Sequence, residues 1–178
     1  MEKLIETFKT VPTILVVDDD SGIREIIGMT LERMGANTLE ADSAETAITV
    51  LQENPVDVVI SDIRMQGKSG LDLLSRCHVQ GIDVPFIFLT GYDGPEYMMK
   101  AVRLGAMDFL LKPLSPEELH LVLTRILAIT YRQNQISEIM ASFGDKIDSK
   151  KRNELTDLKR QISMIRSMHA NKRDDDTL

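Results

Sequence analysis

"ILVVDDD", Ile14 to Asp20, runs four apolar residues straight into three acids. A short, uninterrupted run of Ile, Leu and Val suits a strand covered on both faces, as in parallel sheets flanked by helices. Asp18, Asp19 and Asp20 then stand at the carboxyl end of that strand, where open α/β sheets hold their ligands. Two carboxylates about 4 Å apart repel by roughly 4 kcal/mol at an effective dielectric near 20, so a chain that gathers them needs a cation to offset them.

Working outward, the chain from residue 13 to about 133 alternates short apolar runs with helix-period segments. Thr13–Val17, Val56–Ser61, Val84–Thr90 and Met107–Leu111 are rich in Val, Ile, Leu and Phe, which predicts buried strands. Asn37–Ala41 mixes Thr38 and Glu40 with Leu39 and is expected to be an edge strand. Between them Ile23, Ile26, Ile27, Leu31 and Met34 keep a helical period. So do Ala44, Ala47, Ile48 and Leu51; Leu71, Leu74 and Cys77; and Met98, Met99, Val102 and Leu104. Ser21, Ser43 and Ser115 are expected N-caps, Gly35 follows one helix, and Pro116 suits a first helical position. Strands alternating with helices imply an α/β fold, a parallel sheet with helices on both faces.

Composition narrows the function classes. At 178 residues the chain accommodates one ordinary domain and an appendage. Its net charge of −7 does not suit nucleic acid or an anionic membrane as the main partner of the whole chain. The single cysteine, Cys77, excludes an internal disulfide framework, and His78, His120 and His169 are too scattered to form a metal-ligand motif with it. No apolar run approaches the roughly 18 residues of a membrane span. With Glu2 and Glu6 near its start the chain does not resemble a secretory signal either, so a cytoplasmic location is expected.

The strand ends supply a specific chemical set. Asp18 and Asp19 follow the first strand and Asp62 the third, while Thr90 ends the fourth and Lys112 the fifth. A hard divalent ion, Mg²⁺ above all, suits such carboxylates together with a backbone carbonyl and waters. With a lysine ammonium and a threonine hydroxyl added, the group would surround a phosphoryl, whose transfer depends on positioning and charge neutralisation.

"ILVVDDD", "VVISDIRM", "FIFLTGYDG" and "GAMDFLLKPL", in that order, resemble the receiver domain of bacterial two-component response regulators over about residues 12–133. The resemblance implies a flavodoxin-like five-stranded parallel sheet in the order 2-1-3-4-5. It implies that Asp62 accepts a phosphoryl group from a phosphohistidine on a sensor histidine kinase or phosphotransfer protein. It assigns Mg²⁺ to Asp19, Asp62 and the backbone carbonyl of Arg64, with Asp18 holding the metal's water shell. Lys112 would pair with phosphoryl oxygens, Thr90 would move to hydrogen-bond the phosphoryl, and Phe109 would turn inward as Thr90 moves. The Lys112–Pro113 bond is expected to be cis.

This sequence departs from the family at Gln66, where a proline is usual four residues after the acceptor, which bears on the shape of the following loop. Arg64 and Tyr92 occupy the two positions that tend to tune dephosphorylation, and a bulky pair there implies a long-lived phosphoryl. Each of these residues also has a plainer reading. Acids before a helix are usually caps, and Asp20, whose charge the dipole of a nearby helix N-terminus favours, is treated as structural. Phe109 could be simple core, and Arg64 and Tyr92 simple loop residues.

Beyond residue 133 the receiver pattern is complete. Ile126, Ile129, Gln133, Ile136, Met140 and Phe143 keep a rough helical period, so the last receiver helix is expected to run on. A further helix is expected from about residue 149 to 171, where Leu155, Leu158, Ile162 and Ile165 form a stripe too short to hold without a partner. Residues 149–173 hold eight Lys or Arg against Glu154 and Asp157, while residues 1–148 carry 13 basic against 23 acidic side chains. The expected organisation is an N-terminal extension (1–11), a receiver (12–133) and a helical C-terminal extension (134–178) with a disordered acidic end. The receiver would switch an unknown output partner or a homodimer, through the extension or through its own last strands and helices. Rival functions are a DNA-contacting regulator using the basic helix and a metal-dependent phosphohydrolase. For the first, too little chain remains for a winged helix; for the second, the usual spaced Asp pair is missing.

Overall fold

The computed structural model describes residues 3–8, 10–91 and 94–143. After a short helix α1 (Leu4–Phe8) the chain alternates strictly: β1 (Thr13–Val17), α2 (Ser21–Arg33), β2 (Asn37–Ala41), α3 (Ala44–Glu53), β3 (Val58–Asp62), α4 (Gly70–Val79), β4 (Phe86–Thr90), α5 (Pro95–Arg103), β5 (Asp108–Leu111) and α6 (Pro116–Phe143). All strand pairs are parallel and the order is β2-β1-β3-β4-β5, so β2 is an edge strand as its composition predicts. The chain divides into compact units at Met1–Leu127 and Ala128–Leu178. The expected second helix, 149–171, and its basic stretch lie outside the described residues.

The pleat explains why the central strands read as continuous apolar runs. Leu15, Val17, Val59, Phe86 and Phe88 share one buried cluster with Ala44, Ala47 and Ile48 of α3 and Leu71, Leu74 and Cys77 of α4. Their strand neighbours Ile14, Val16, Ile60, Ile87 and Leu110 point the other way and are equally buried, as are Ile27 and Leu31 of α2 and Leu119, Leu123 and Ile126 of α6. The central strands β1, β3 and β4 are covered on both faces, so the loops at their ends are where the sheet meets solvent. Behind β5, Arg125 of α6 pairs with the buried Asp108, whose other oxygen accepts the Phe109 N–H at 2.8 Å.

Several boundaries differ from the sequence expectation. The N-cap of α2 is Asp20, not Ser21: its Oδ1 accepts from the N–H groups of Gly22 (2.8 Å) and Ile23 (3.3 Å), and Ser21 becomes the first helical residue. Ser43 does cap α3, and Ser115 accepts the Glu118 N–H ahead of the long α6. β3 begins at Val58 rather than Val56, because the Thr13 N–H is taken by the Asp57 side chain at 2.8 Å before the ladder starts. β4 begins at Phe86, after Pro85, which has no N–H for a ladder. The helix α1 was not foreseen. Five residues show no periodicity, and it is held by tertiary contact, with Leu4 fully buried and its N–H donating to the Met34 carbonyl at 2.8 Å.

Candidate functional site

The carboxyl ends of β1, β3, β4 and β5 bring the expected residues to one edge. Asp18, just past β1, is 1% exposed, and Asp62, the last residue of β3, is 8% exposed, while Asp19 is open to solvent. One carboxylate oxygen from each of the three lies within 4.8 Å of the other two. Lys112, one residue past β5, reaches between them: its Nζ is 2.9 Å from Asp18 Oδ2 and 3.2 Å from Asp62 Oδ1. Its backbone N–H donates to the Thr90 carbonyl at 2.8 Å, and the Lys112–Pro113 peptide is cis. Thr90 itself is buried, one step beyond the Asp62–Leu89 pair in register.

The electrostatics follow from this packing. Burial alone pulls the Lys112 ammonium down, but the hydrogen bond to Asp18 and the charges of Asp62 and Asp18 outweigh it and hold its pKa above the ordinary lysine value. Three carboxylates facing one ammonium still leave an excess of negative charge, all on hard oxygen donors. That donor set fits Mg²⁺ and does not suit a soft metal. Cys77 takes no part: it lies in the apolar core away from the three acids, where burial pushes its thiol up to about 11.

The neighbouring loops explain how the acids are held. Asp18 Oδ1 accepts the Asp20 N–H at 2.9 Å, and Asp19 Oδ2 accepts the Gln66 N–H at 2.9 Å. Arg24, which the sequence reading passed over, donates from Nη1 to the Asp18 carbonyl at 2.7 Å and from Nε to Glu40 at 3.2 Å. A cation in the first turn of a helix opposes the dipole, and that oddity was the available clue. Gly70 was missed as well. A Cβ there would lie 2.2 Å from the Asp62 carbonyl oxygen and 2.6 Å from Ser61 Oγ, so only glycine lets α4 start this close beneath the acid.

Phe109 is half-buried and stacks on Phe88, with ring centroids 6.2 Å apart at 28°. Arg64 is exposed, its guanidinium 5.0 Å from the centroid of the Tyr97 ring. Tyr92 lies outside the described residues.

Residues 14–124 match the response regulator receiver domain family. The chain belongs to that family. Its receiver domain is 38% identical over 124 residues to the two-component response regulator ARR10 of Arabidopsis thaliana, a match covering 67% of this chain and 22% of the relative. It is 36% identical over 109 residues to the phosphate regulon transcriptional regulatory protein PhoB of Pseudomonas aeruginosa, covering 60% of this chain and 48% of the relative. The chain thus spans about half or less of these relatives' length. Among solved structures, the chemotaxis response regulator CheY4 of Vibrio cholerae superposes with a TM-score of 0.61 at 30% identity, over 66% of this chain and 99% of that one. The receiver family is a phosphoacceptor family, and no described helix here is long and apolar enough to cross a membrane.

Proposed function

We propose that the chain is the cytoplasmic response regulator of a two-component phosphorelay, with Asp62 as phosphoacceptor. The observation that carries this reading is Lys112 Nζ lying 2.9 and 3.2 Å from two carboxylates that also sit with Asp19 inside a 4.8 Å cluster. In the transfer, an Asp62 carboxylate oxygen attacks phosphorus, the bond from phosphorus to the donor histidine nitrogen breaks, and the nitrogen keeps the electron pair. Lys112 moves little to meet the new phosphoryl oxygens, exchanging its contact with Asp62 for one of higher charge. Asp19, Asp62 and the Arg64 carbonyl would hold Mg²⁺, with Asp18 on its water shell; when bound, the ion neutralises charge on the transferring group. Thr90 and Phe109 are assigned to the switch, with the Phe88 ring as the surface Phe109 slides on. Arg64 and Tyr92 are assigned to tuning hydrolysis.

We assign residues 12–133 to the receiver and 134–178 to an extension that reports its state through a homodimer or another protein. The deciding experiment is labelling with acetyl phosphate in Mg²⁺, read by intact mass and borohydride trapping of the modified residue. Wild type is expected to carry one phosphoryl on Asp62, and Asp62→Asn none. Labelling at another residue, or equal labelling of both proteins, rejects the assignment.

A further inference from the structure

We propose that Gln66 is a positioning residue for the candidate Mg²⁺ site, acting through its backbone N–H. This rests on the phosphoacceptor reading above and adds to it a residue that the four motifs do not contain. Asp18 is held from two sides, by the Asp20 N–H and by Lys112, and Asp62 faces Lys112 directly. Asp19 is the exposed member of the cluster. Among the described residues its side chain makes one hydrogen bond, from the Gln66 N–H at 2.9 Å.

That bond joins residues 47 apart in sequence and so ties the loop after β1, which supplies Asp18 and Asp19, to the loop after β3, which follows directly on Asp62. A carboxylate has about four acceptor sites, so one N–H on Oδ2 leaves room for a cation on the same group. Fixing the Asp19 rotamer before the ion arrives removes an ordering cost from binding. A proline at position 66 would have no N–H and could not make this contact. The glutamine that departs from the family pattern therefore gives this chain a contact that a proline there would lack.

The test uses full-length protein and Mg²⁺ titrations by isothermal calorimetry, with a metal-free NMR measurement of the through-hydrogen-bond coupling between the Gln66 amide nitrogen and Asp19 Cγ. The coupling is expected in wild type. Gln66→Pro is expected to bind Mg²⁺ about fivefold more weakly, and Gln66→Ala, which keeps the N–H, more tightly than Gln66→Pro. Because a proline can also reshape the loop, Asp19→Asn is combined with Gln66→Pro. If the N–H acts through Asp19, the two losses are strongly non-additive. Wild-type Mg²⁺ binding with an undiminished Gln66→Pro, fully additive losses or an absent coupling overturns this proposal alone. Failure of wild type to bind Mg²⁺ at all overturns the metal site with it.

Discussion

Lys112 stands between Asp18 and Asp62, and its removal leaves the Asp18 carboxylate, on a residue 1% exposed, without the ammonium it pairs with. Breaking a fully buried pair costs about 3–5 kcal/mol. The Lys112 side chain is 27% exposed, so about 2 kcal/mol is expected for Lys112→Met in chelator, read from urea midpoints. The pH dependence has a definite sign. The folded pKa of Lys112 lies above the ordinary 10.5, so its stabilisation is complete below that value and is lost as pH rises through the folded pKa. The gap between wild type and Lys112→Met should therefore be constant from pH 7 to 9 and close above about 10.5. Asp62→Asn acts oppositely. It removes one of three clustered carboxylates while the 2.9 Å Lys112–Asp18 pair survives, so the metal-free variant should melt no lower than wild type, and up to about 3 °C higher. A lower melting temperature would mean that Asp62 is held by favourable contacts stronger than its repulsions.

At the scale of elements, α4 begins directly against Asp62, and its first turn is locked by a reciprocal cap. Ser69 Oγ accepts the Asp72 N–H at 3.2 Å, and Asp72 Oδ2 accepts the Ser69 N–H at 3.0 Å. Asp72→Ala is expected to cost about 1 kcal/mol. The hydrogen bonds from the Ser69 side chain and backbone depress the Asp72 pKa below 3.8, so this stabilisation is present above that pH and fades as pH falls through the depressed value. Thermal melts of the two proteins from pH 7 to 3 should converge only at the acid end. The elements themselves were legible where the pattern was strong: the extents of β1 and β2, the end of β4, the caps Ser43 and Ser115, and the run-on of α6 past residue 133. The rest depended on contacts with no local signature. Asp20 displaced Ser21 as cap because its carboxylate lies where two helix N–H groups converge, and α1 exists only because Leu4 has a pocket to enter. The same holds at the site. Residue type and strand end named Asp18, Asp19, Asp62, Thr90 and Lys112, but Arg24, Gly70 and the Gln66 N–H act through backbone atoms brought close by the fold.

At the scale of the molecule, the sequence is electrically divided: residues 149–173 carry a net +6, while residues 1–148 carry −10. Like-charged receivers repel, and each charge added to the acidic site raises that repulsion, so a phosphorylation-driven dimer needs either an apolar patch or the basic stretch to offset it. For the first the receiver offers the exposed apolar side chains Met98, Met99, Leu111 and Leu121, each at least 42% exposed, on α5, β5 and α6. Salt separates the two routes, because screening at a Debye length of about 8 Å in physiological salt shortens to about 3 Å at 1 M. Beryllofluoride with Mg²⁺ is expected to shift the light-scattering mass of wild type toward twice that of the 20.0 kDa chain and to leave Asp62→Asn unchanged. A dimer built on the apolar patch should tighten or hold as salt rises, because repulsion between receivers is screened. One built on the basic stretch should dissociate, and deletion of residues 144–178 should abolish it. If wild type stays monomeric with beryllofluoride at every salt concentration, dimerisation is not the output.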